Sequence, residues 1–371
     1  MKLKLKETPE QIELIKALGS KSPAEAAQAA EAFAAFIAPV AQKVLAQAGT
    51  AGLIYRDSLY DEDDSPSIPL DLYFDEGADY VSVWSQGMAG GLPSSQVSGL
   101  SEMKIATYRL DSAVSFLKRY ARRGRLDVVS KAVERMSQEV LVKQERNAWA
   151  VILKALAEAT TNSSAHVISS DTADVFSVND LSDLMTLVKR INTSFANGTP
   201  ANFDSKGLTD LFVDPETMAN VRGFAYNPVN SIGSVSTGPV ALPDSIRQEI
   251  FRSAGMSEIF GVVLHELIEL GDGKKYNTLF TELAAASSVT IPGGGGGTFD
   301  SADKILVGVD LSREAFIRPV ARQAEGGGTF TALPDDQFVA RQEKTGFYGY
   351  LEEGRVCIDA RAVVGIAVYS N

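Results

Sequence analysis

Residues 126–159 read LDVVSKAVERMSQEVLVKQERNAWAVILKALAEA, with apolar positions spaced by three, four or their sums and with charged residues between them. This spacing predicts one amphipathic helix. The segment contains no proline or glycine, so the helix should run unbroken for about 50 Å at 1.5 Å per residue. We expect a flat element to pack on its apolar side, which is formed by Val129, Val133, Met136, Val140, Ala148, Ile152 and Ala155.

A second distinctive stretch lies near the end of the chain, where residues 345–368 read TGFYGYLEEGRVCIDARAVVGIAV. Its aromatic alternation predicts a strand with Phe347 and Leu351 on one face. Residues 352–354 (Glu-Glu-Gly) predict a turn, and the apolar run 362–368 predicts a buried strand. This segment therefore indicates packed strands, and it contains no evident catalytic motif.

Two helices are predicted at the start, over residues 8–19 and 22–49, because each begins with a Thr or Ser cap followed by proline. The second is rich in alanine and poor in bulky side chains, which predicts an arm that packs on another element. From residue 52 to 103, alternating runs such as LIYRDSLY and DYVSVWS are separated by polar, turn-rich segments. This pattern predicts a long projecting hairpin that needs a neighbour to lie on.

Helices and strands alternate in the centre of the chain, which predicts a mixed α+β fold. A hairpin is predicted over residues 259–280, with its turn at Gly271–Lys274. The other predicted elements are a helix over about 179–195, a strand over 207–213, a helix from Asp214-Pro215-Glu216, and strands at KILVGV (304–309) and AFIRPVAR (315–322).

Composition excludes several classes of protein. The 371 residues carry a net charge of −12, which disfavours a dedicated nucleic-acid binder. No uncharged apolar run approaches the roughly 18 residues of a membrane span, and the start MKLKLKETPEQ lacks the apolar region of a secretory signal. A single cysteine, Cys357, excludes an intrachain disulfide and suits a reducing compartment. Because Cys357 lies in an apolar strand, we expect an inert thiol.

Enzyme motifs are incomplete. Residues 265–269 (HELIE) resemble the zinc-protease HExxH, but a glutamate stands where the second histidine is required. His166 is the only other histidine, and the β-branched surroundings of His265 predict a strand. The glycine tract 293–297 lacks the GK[ST] of a phosphate-binding loop. We therefore predict no catalytic residue, metal site or cofactor, and no enzyme; a metal-dependent hydrolase using His265 and Glu266 stays as an alternative.

Two charge clusters are candidate contact sites. The acidic cluster is Asp61, Glu62, Asp63 and Asp64, and the basic cluster is Lys118, Arg119, Arg122, Arg123 and Arg125. The acidic residues lack the glycine-spaced pattern of a calcium loop. Solvated clusters and contacts between subunits are both open at this point. For the basic cluster, contact with nucleic acid is a third and weakest alternative, because one basic patch lies on an acidic protein.

The serial order of these parts resembles the major capsid proteins of tailed bacteriophages, which have the Hong Kong 97-type coat-protein fold. The resemblance covers about residues 50–368. The helix at 126–159 is similar to the spine helix of the peripheral domain in that family. LFVDPETMANVRGF and IFGVVLHELIEL are similar to parts of its axial domain, and TGFYGYLEEGRVCIDARAVVGIAV to its final strands.

The resemblance implies a division of the chain into five parts. An N-terminal arm covers residues 1–50, and an extended hairpin loop covers 51–104. The peripheral domain with the spine helix covers 105–165, and the axial domain covers 166–330. The C-terminal strands of the peripheral domain cover 331–371. Strands near the end of the axial segment should return toward the peripheral domain.

The function implied is a major capsid protein that assembles into hexamers and pentamers of an icosahedral shell around phage double-stranded DNA. Its expected partners are copies of itself, with a cement or decoration protein, a portal and a scaffold as further candidates. The packaged DNA would lie near the shell, which would not bind it sequence-specifically. No membrane is expected as a partner. The expected location is the virion, assembled in the host cytoplasm. An encapsulin-like nanocompartment shell is the alternative within the same fold.

Overall fold

The computed structural model describes residues 8–47, 49–61, 64–69, 102–124, 126–161, 163–191, 207–223, 248, 258–294, 297–322, 329–335 and 343–370. Within them the chain divides into two compact units. The first unit is built from the chain up to Ile68, Lys104–Ala148 and Ile317–Val356. The second is built mainly from Trp149–Phe316 and the residues from Cys357 onward. In this part of the chain no helix has the length and apolar character that a membrane crossing needs.

The elements follow in chain order. The helices of the described residues are α1 (Pro9–Leu18), α2 (Pro23–Gln47), α3 (Lys118–Arg122), α4 (Leu126–Glu158), α5 (Val178–Ile191), α6 (Pro215–Gly223) and α7 (Lys275–Ala286). The strands are β1 (Arg56–Asp61), β2 (Ser67–Pro69), β3 (Glu102–Lys104), β4 (Thr107–Leu117), β5 (Thr160–Thr161), β6 (Ser164–Ala165), β7 (Val167–Ser169), β8 (Asp210–Val213), β9 (Glu258–Ile259), β10 (Val262–Glu266), β11 (Lys304–Val309), β12 (Phe316–Arg322), β13 (Thr331–Asp335), β14 (Lys344–Gly354), β15 (Val356–Cys357) and β16 (Val363–Val368). Short 3₁₀ turns lie at Ala51–Leu53, Ile268–Leu270, Leu311–Arg313 and Ala360–Ala362. The predicted helix at 126–159 is confirmed as α4.

Strand β14 is the centre of the sheet in the first unit. It pairs antiparallel with β4 over its whole length, from Lys344 opposite Leu117 to Gly354 opposite Thr107. Its other edge pairs with β13 and, at Glu353, with β12, and β1 runs parallel beside β12. The turn predicted at residues 352–354 is wrong: β14 continues through them because the Glu353 carboxylate has buried partners that satisfy it within the strand.

Helices α1, α2 and the first part of α4 pack with this sheet in one apolar core. The ring of Phe33 on α2 lies 5.1 Å from that of Phe347 on β14, between ring centroids. Over its described helices, the predicted N-terminal arm is therefore part of the core of the first unit. The core includes Ile15, Leu18, Phe33, Phe116, Val133, Met136, Val140, Phe347 and Leu351. This confirms the burial of Val133, Met136 and Val140 on the predicted apolar side of the spine helix, and the predicted shared face of Phe347 and Leu351.

The second unit has its own sheet, with the strand order β7-β16-β11-β8-β10-β9. All six residues of β16 are buried, because the strand lies between β11, to which it is antiparallel, and β7, to which it is parallel. The predicted buried strand at 362–368 is thus confirmed. It belongs to a different sheet from β14, and the five-part division of the chain, with its segment 331–371, stays a prediction.

The predicted hairpin over residues 259–280 is wrong in its second half. Strand β10 forms as predicted, but the turn after it leads into α7. Tyr276 and Phe280 lie four residues apart, which is one helical turn, and both are buried. The indole of Trp149 stacks on Tyr276 at 5.6 Å and meets Phe212 edge-on at 5.0 Å, between ring centroids. Aromatic side chains favour strands in general, and here burial of this helix face outweighs that preference.

Candidate functional site

The segment predicted as an extended hairpin begins and ends in the first unit. Its outgoing leg is β1, at the open edge of the sheet, and its incoming leg leads into β4. Beyond the sheet the two legs still meet, because the backbone N–H of Ile105 donates to the carbonyl of Pro66 at 3.0 Å. Strands β2 and β3 form a separate two-stranded sheet there. The predicted turns and tip, residues 70–101, lie outside the described residues.

The spine helix holds the start of this segment. The Glu145 carboxylate on α4 accepts hydrogen bonds from the backbone N–H groups of Thr50, at 2.9 Å, and Ala51, at 3.1 Å. The hydroxyl of Tyr55 donates to the carbonyl of Ala148 at 3.1 Å. A carboxylate that accepts from the N–H groups of a short helical turn caps it. The chain therefore enters the outgoing leg from a fixed point on α4.

A buried carboxylate lies under the root of both legs. The side chain of Glu353 on β14 has 0% exposure. It accepts hydrogen bonds from Arg318 on β12 at 2.9 Å, from Gln144 on α4 at 2.9 Å and from Tyr108 on β4 at 2.9 Å. The guanidinium of Arg355 lies 3.3 Å from the same carboxylate. Three strands and the spine helix thus meet at one side chain.

The charges around Glu353 extend to the outgoing leg. Arg318 also contacts Asp57 on β1 at 3.3 Å, so two guanidinium groups face two carboxylates. Arg355 lies over the ring of Tyr55, at 4.8 Å from the centroid. Burial, followed by the negative charge of Glu353, raises the pKa of Tyr108. Tyr108 therefore remains a hydrogen-bond donor to Glu353 at ordinary pH.

Sequence reasoning missed Glu352 and Glu353, which it placed in a turn. A signal for Glu353 was present, because it has the same strand parity as Phe347 and Leu351 on the buried face. Charged residues are almost never fully buried unless they are paired. A glutamate at a core position of a strand therefore indicates a buried cation nearby, although the sequence does not say which one.

The two charge clusters both belong to the first unit. Asp61 ends β1 and Asp64 follows it, and both are exposed; Glu62, Asp63 and Arg125 lie outside the described residues. In the basic cluster, Arg122 donates to the carbonyl of Gly19 at 2.9 Å and so caps the end of α1. The side chains of Arg119 and Arg123 are exposed. The structure brings no described member of one cluster into contact with a described member of the other.

The residues of the alternative hydrolase site are held in a strand. His265 on β10 is a strand residue, as predicted; its Nε2 lies 2.7 Å from Asp210, and its ring stacks on Phe212 at 5.0 Å. Glu266 is exposed at the end of the strand. Among the residues described, no group of three or more His, Cys, Asp or Glu side chains gathers where a metal ion would bind.

Cys357 has the environment of an inert thiol. It is partly buried. Burial, followed by the negative charge of Asp359, raises the pKa of Cys357 to about 12. The reactive thiolate is therefore scarce at ordinary pH.

No family model and no curated protein sequence matches the chain. Solved structures do match. The chain is similar to the capsid of a native GTA particle, with 11% identity, a TM-score of 0.51, and coverage of 87% of this chain and 91% of the other. The capsid structure of Cyanophage P-SCSP1u matches at 13% identity and a TM-score of 0.48, over 86% of each chain. An encapsulin complex from Synechococcus elongatus PCC 7942 matches at 11% identity and a TM-score of 0.42, over 73% of this chain and 77% of the other.

The similarity to the GTA capsid covers most of the chain. It agrees with the mixed helix and sheet architecture. The chain has the Hong Kong 97-type coat-protein fold.

Proposed function

We propose that this chain is the major capsid protein of a tailed bacteriophage, which assembles into hexamers and pentamers of a closed icosahedral shell around double-stranded DNA. The observation that carries the proposal is the fold match to the capsid of a GTA particle over 87% of the chain. The role is structural. It needs many modest interfaces between copies and no reacting group.

The net charge of −12 supports a shell that encloses DNA without holding it. Phosphate contacts from Lys and Arg dominate nonspecific DNA affinity. A capsid wall rich in such contacts would hinder both packaging and release. The excess of carboxylates keeps that affinity low, and the shell then confines the DNA by its closed geometry.

The anchored root of the hairpin supports a projecting loop that reaches a neighbouring copy. Glu145 holds its start, Glu353 lies under its root, and the acidic cluster follows β1 directly. The acidic cluster (Asp61, Glu62, Asp63, Asp64) and the basic cluster (Lys118, Arg119, Arg122, Arg123, Arg125) would then meet between subunits. There they would help to set the docking register.

Assembly is the direct test. The full chain is expressed in bacteria, and its particles are analysed by size-exclusion chromatography and electron microscopy. We expect megadalton closed shells with five-fold vertices. A chain that remains monomeric across salt and protein concentration, also with lysate of the phage host added, would overturn the proposal. Particles isolated from infected cells separate the two shell functions, since DNA-filled heads with tails indicate a virion and small shells with enclosed protein indicate a nanocompartment.

A further inference from the structure

The glutamate next to Glu353 points to the other face of the sheet. Successive side chains of a strand alternate between faces, so Glu352 lies on the face that carries Tyr348 and Tyr350. It is partly buried. One of its oxygens, Oε1, accepts hydrogen bonds from the hydroxyl of Tyr60 at 3.1 Å and from the hydroxyl of Thr107 at 2.9 Å.

These two donors lie at the two ends of the predicted hairpin. Tyr60 is the last residue but one of β1, the outgoing leg, and Thr107 is the first residue of β4, into which the incoming leg leads. Neither leg is near Glu352 in sequence, with separations of 292 and 245 residues. One carboxylate oxygen therefore ties together the two points where the legs leave the sheet.

Arg109 stands directly opposite Glu352 in the β4–β14 ladder, but its guanidinium contacts other side chains. Its guanidinium binds Asp111 at 2.8 Å, donates to the hydroxyl of Tyr348 at 2.8 Å and lies 3.8 Å from the ring centroid of Tyr350. Arg109 is thus held by Asp111 and the two tyrosines, and the hydroxyl groups of Tyr60 and Thr107 donate to Glu352.

The two neighbouring glutamates hold the root from both faces. On the buried face, Glu353 binds Tyr108 of the incoming leg directly. It reaches Asp57 of the outgoing leg through Arg318. On the open face, Glu352 binds both legs itself. The inner contact is buried and contributes to folding, whereas the outer contact is partly exposed and adds little to folding.

We propose that Glu352 is a positioning residue that fixes the direction in which the hairpin leaves the subunit, and that shell closure depends on it more than subunit stability does. The proposal rests on the proposed capsid function. A small change of direction where the two legs leave the sheet is carried along the whole segment that follows, and the proposed contact with the next subunit lies on that segment.

The test compares Glu352→Gln with Tyr60→Phe, Thr107→Val and their combinations in the full chain. Each change is close to isosteric. Glu352→Gln keeps a carbonyl acceptor and weakens both hydrogen bonds, whereas Tyr60→Phe and Thr107→Val each remove one donor. We expect Glu352→Gln to lower the yield of closed shells, while the melting temperature of the unassembled subunit shifts by less than about 4 °C. The Tyr60→Phe/Thr107→Val double variant should lower the yield several-fold. Adding Glu352→Gln to this double variant should cause little further loss, because both donors of the clamp are then already gone.

Hydrogen exchange on the unassembled chain provides a readout that does not depend on shells. In Glu352→Gln we expect faster exchange in Arg56–Asp61 and Glu102–Lys104, and unchanged exchange in α5 of the second unit. Glu139→Gln, at an exposed ion pair with Arg135 on α4, is the matched control and should leave both assembly and exchange as in the unchanged protein.

Each outcome decides between the ideas. Wild-type shell yield together with wild-type exchange, both in Glu352→Gln and in the Tyr60→Phe/Thr107→Val double variant, overturns the clamp. A fall in melting temperature with faster exchange throughout the first unit overturns the positioning role, because Glu352 would then be a general stabiliser. If the unchanged chain forms no shells, the capsid function fails, and the exchange of the two legs alone decides the clamp.

Discussion

Glu353 is a charged residue at a core position, and its contribution to stability depends on its partners. Its side chain has no exposed surface and contacts Arg318 and Arg355. Glu353→Ala leaves the largely buried guanidinium of Arg355 without this carboxylate, while Arg318 keeps its contact with Asp57. Breaking a buried pair in this way costs about 3–5 kcal/mol. We expect a loss of this size in the free energy of unfolding of the unassembled chain, measured in urea.

The control is Glu139→Ala, because the pair of Glu139 with Arg135 is exposed. Exposed pairs spaced i,i+4 on a helix contribute only about 0.3–0.5 kcal/mol. Equal losses in the two variants would show that the Glu353 cluster does not stabilise the first unit.

Asp214 is a buried carboxyl in the second unit that gives folding a dependence on pH. It accepts a hydrogen bond from the backbone N–H of Thr217 at 3.3 Å, at the start of α6. Burial, followed by a hydrogen bond with Glu216, raises the pKa of Asp214 to about 6. Lys304 acts in the opposite direction and is the weakest of these causes. The folded state therefore binds a proton that the unfolded chain, with a pKa near 3.9, releases earlier.

Because the pKa of Asp214 is higher in the folded state than in the unfolded chain, protonation of Asp214 stabilises the folded state. The stabilising contribution of the proton on Asp214 is complete below about pH 4 and is lost as the pH rises through about 6. Asp214→Asn keeps the acceptor for Thr217 and supplies a permanent donor to Glu216. We expect the variant to be more stable than the unchanged chain at pH 8, by about 1–3 kcal/mol, and nearly equal to it at pH 4. Urea midpoints at both pH values measure this. The exposed Asp183→Asn is the control, and a constant offset for Asp214→Asn at both pH values would contradict the assignment.

At the scale of elements, the spine helix α4 has one apolar side. Val133 and Ile152 are buried, with 5% and 0% exposure, whereas Lys143 is exposed. An aspartate at position 133 or 152 would place an unpaired charge in an apolar core, which costs several kcal/mol. We expect Val133→Asp and Ile152→Asp to abolish soluble subunits.

Lys143→Glu has the same helix propensity to within a few tenths of a kcal/mol and should fold. Soluble yield and circular dichroism compare the three variants. Normal folding of either aspartate variant would mean that its position is not on the packed side.

The elements also show how far sequence reasoning reaches. The bounds of α4 were predictable to within one residue, because a 3.6-residue period repeated over nine turns is a local signal. The core strands β14 and β16 were also predictable as strands, because the aromatic alternation of β14 and the apolar run of β16 are local signals too. Their membership in two different sheets was not, since strand pairing depends on partners such as β4 and β11 that are distant in sequence. The root of the hairpin was predicted only as a segment, and its two glutamates were missed because a Glu-Glu-Gly sequence favours a turn locally.

At the scale of the whole molecule, the two charge clusters are predicted to meet between copies. Arg122 is a poor choice for testing this, because it caps α1 within its own chain. Asp61→Lys/Asp64→Lys and Arg119→Glu/Arg123→Glu change exposed residues only. One exposed pair contributes only about 0.2–1 kcal/mol and is screened by salt, but in the proposed shell the contact would recur at every interface.

We expect each double reversal to slow assembly, most strongly at low salt, and to leave the melting temperature of the subunit unchanged. Combining all four changes should restore part of the assembly rate, measured by light scattering. Additive slowing without rescue would show that the clusters do not touch.

The position of β14 at the centre of its sheet has a consequence for synthesis on the ribosome. Tyr108 of β4 and its partner Glu353 are 245 residues apart in sequence. The nascent chain therefore completes its spine helix, both legs of the hairpin and nearly all of the second unit before the strand that joins the legs emerges. A polypeptide that terminates early carries the surfaces for contact but cannot hold them in place. In the proposed shell, only full-length copies would then be fit to join their neighbours, and the order of translation would exclude defective ones.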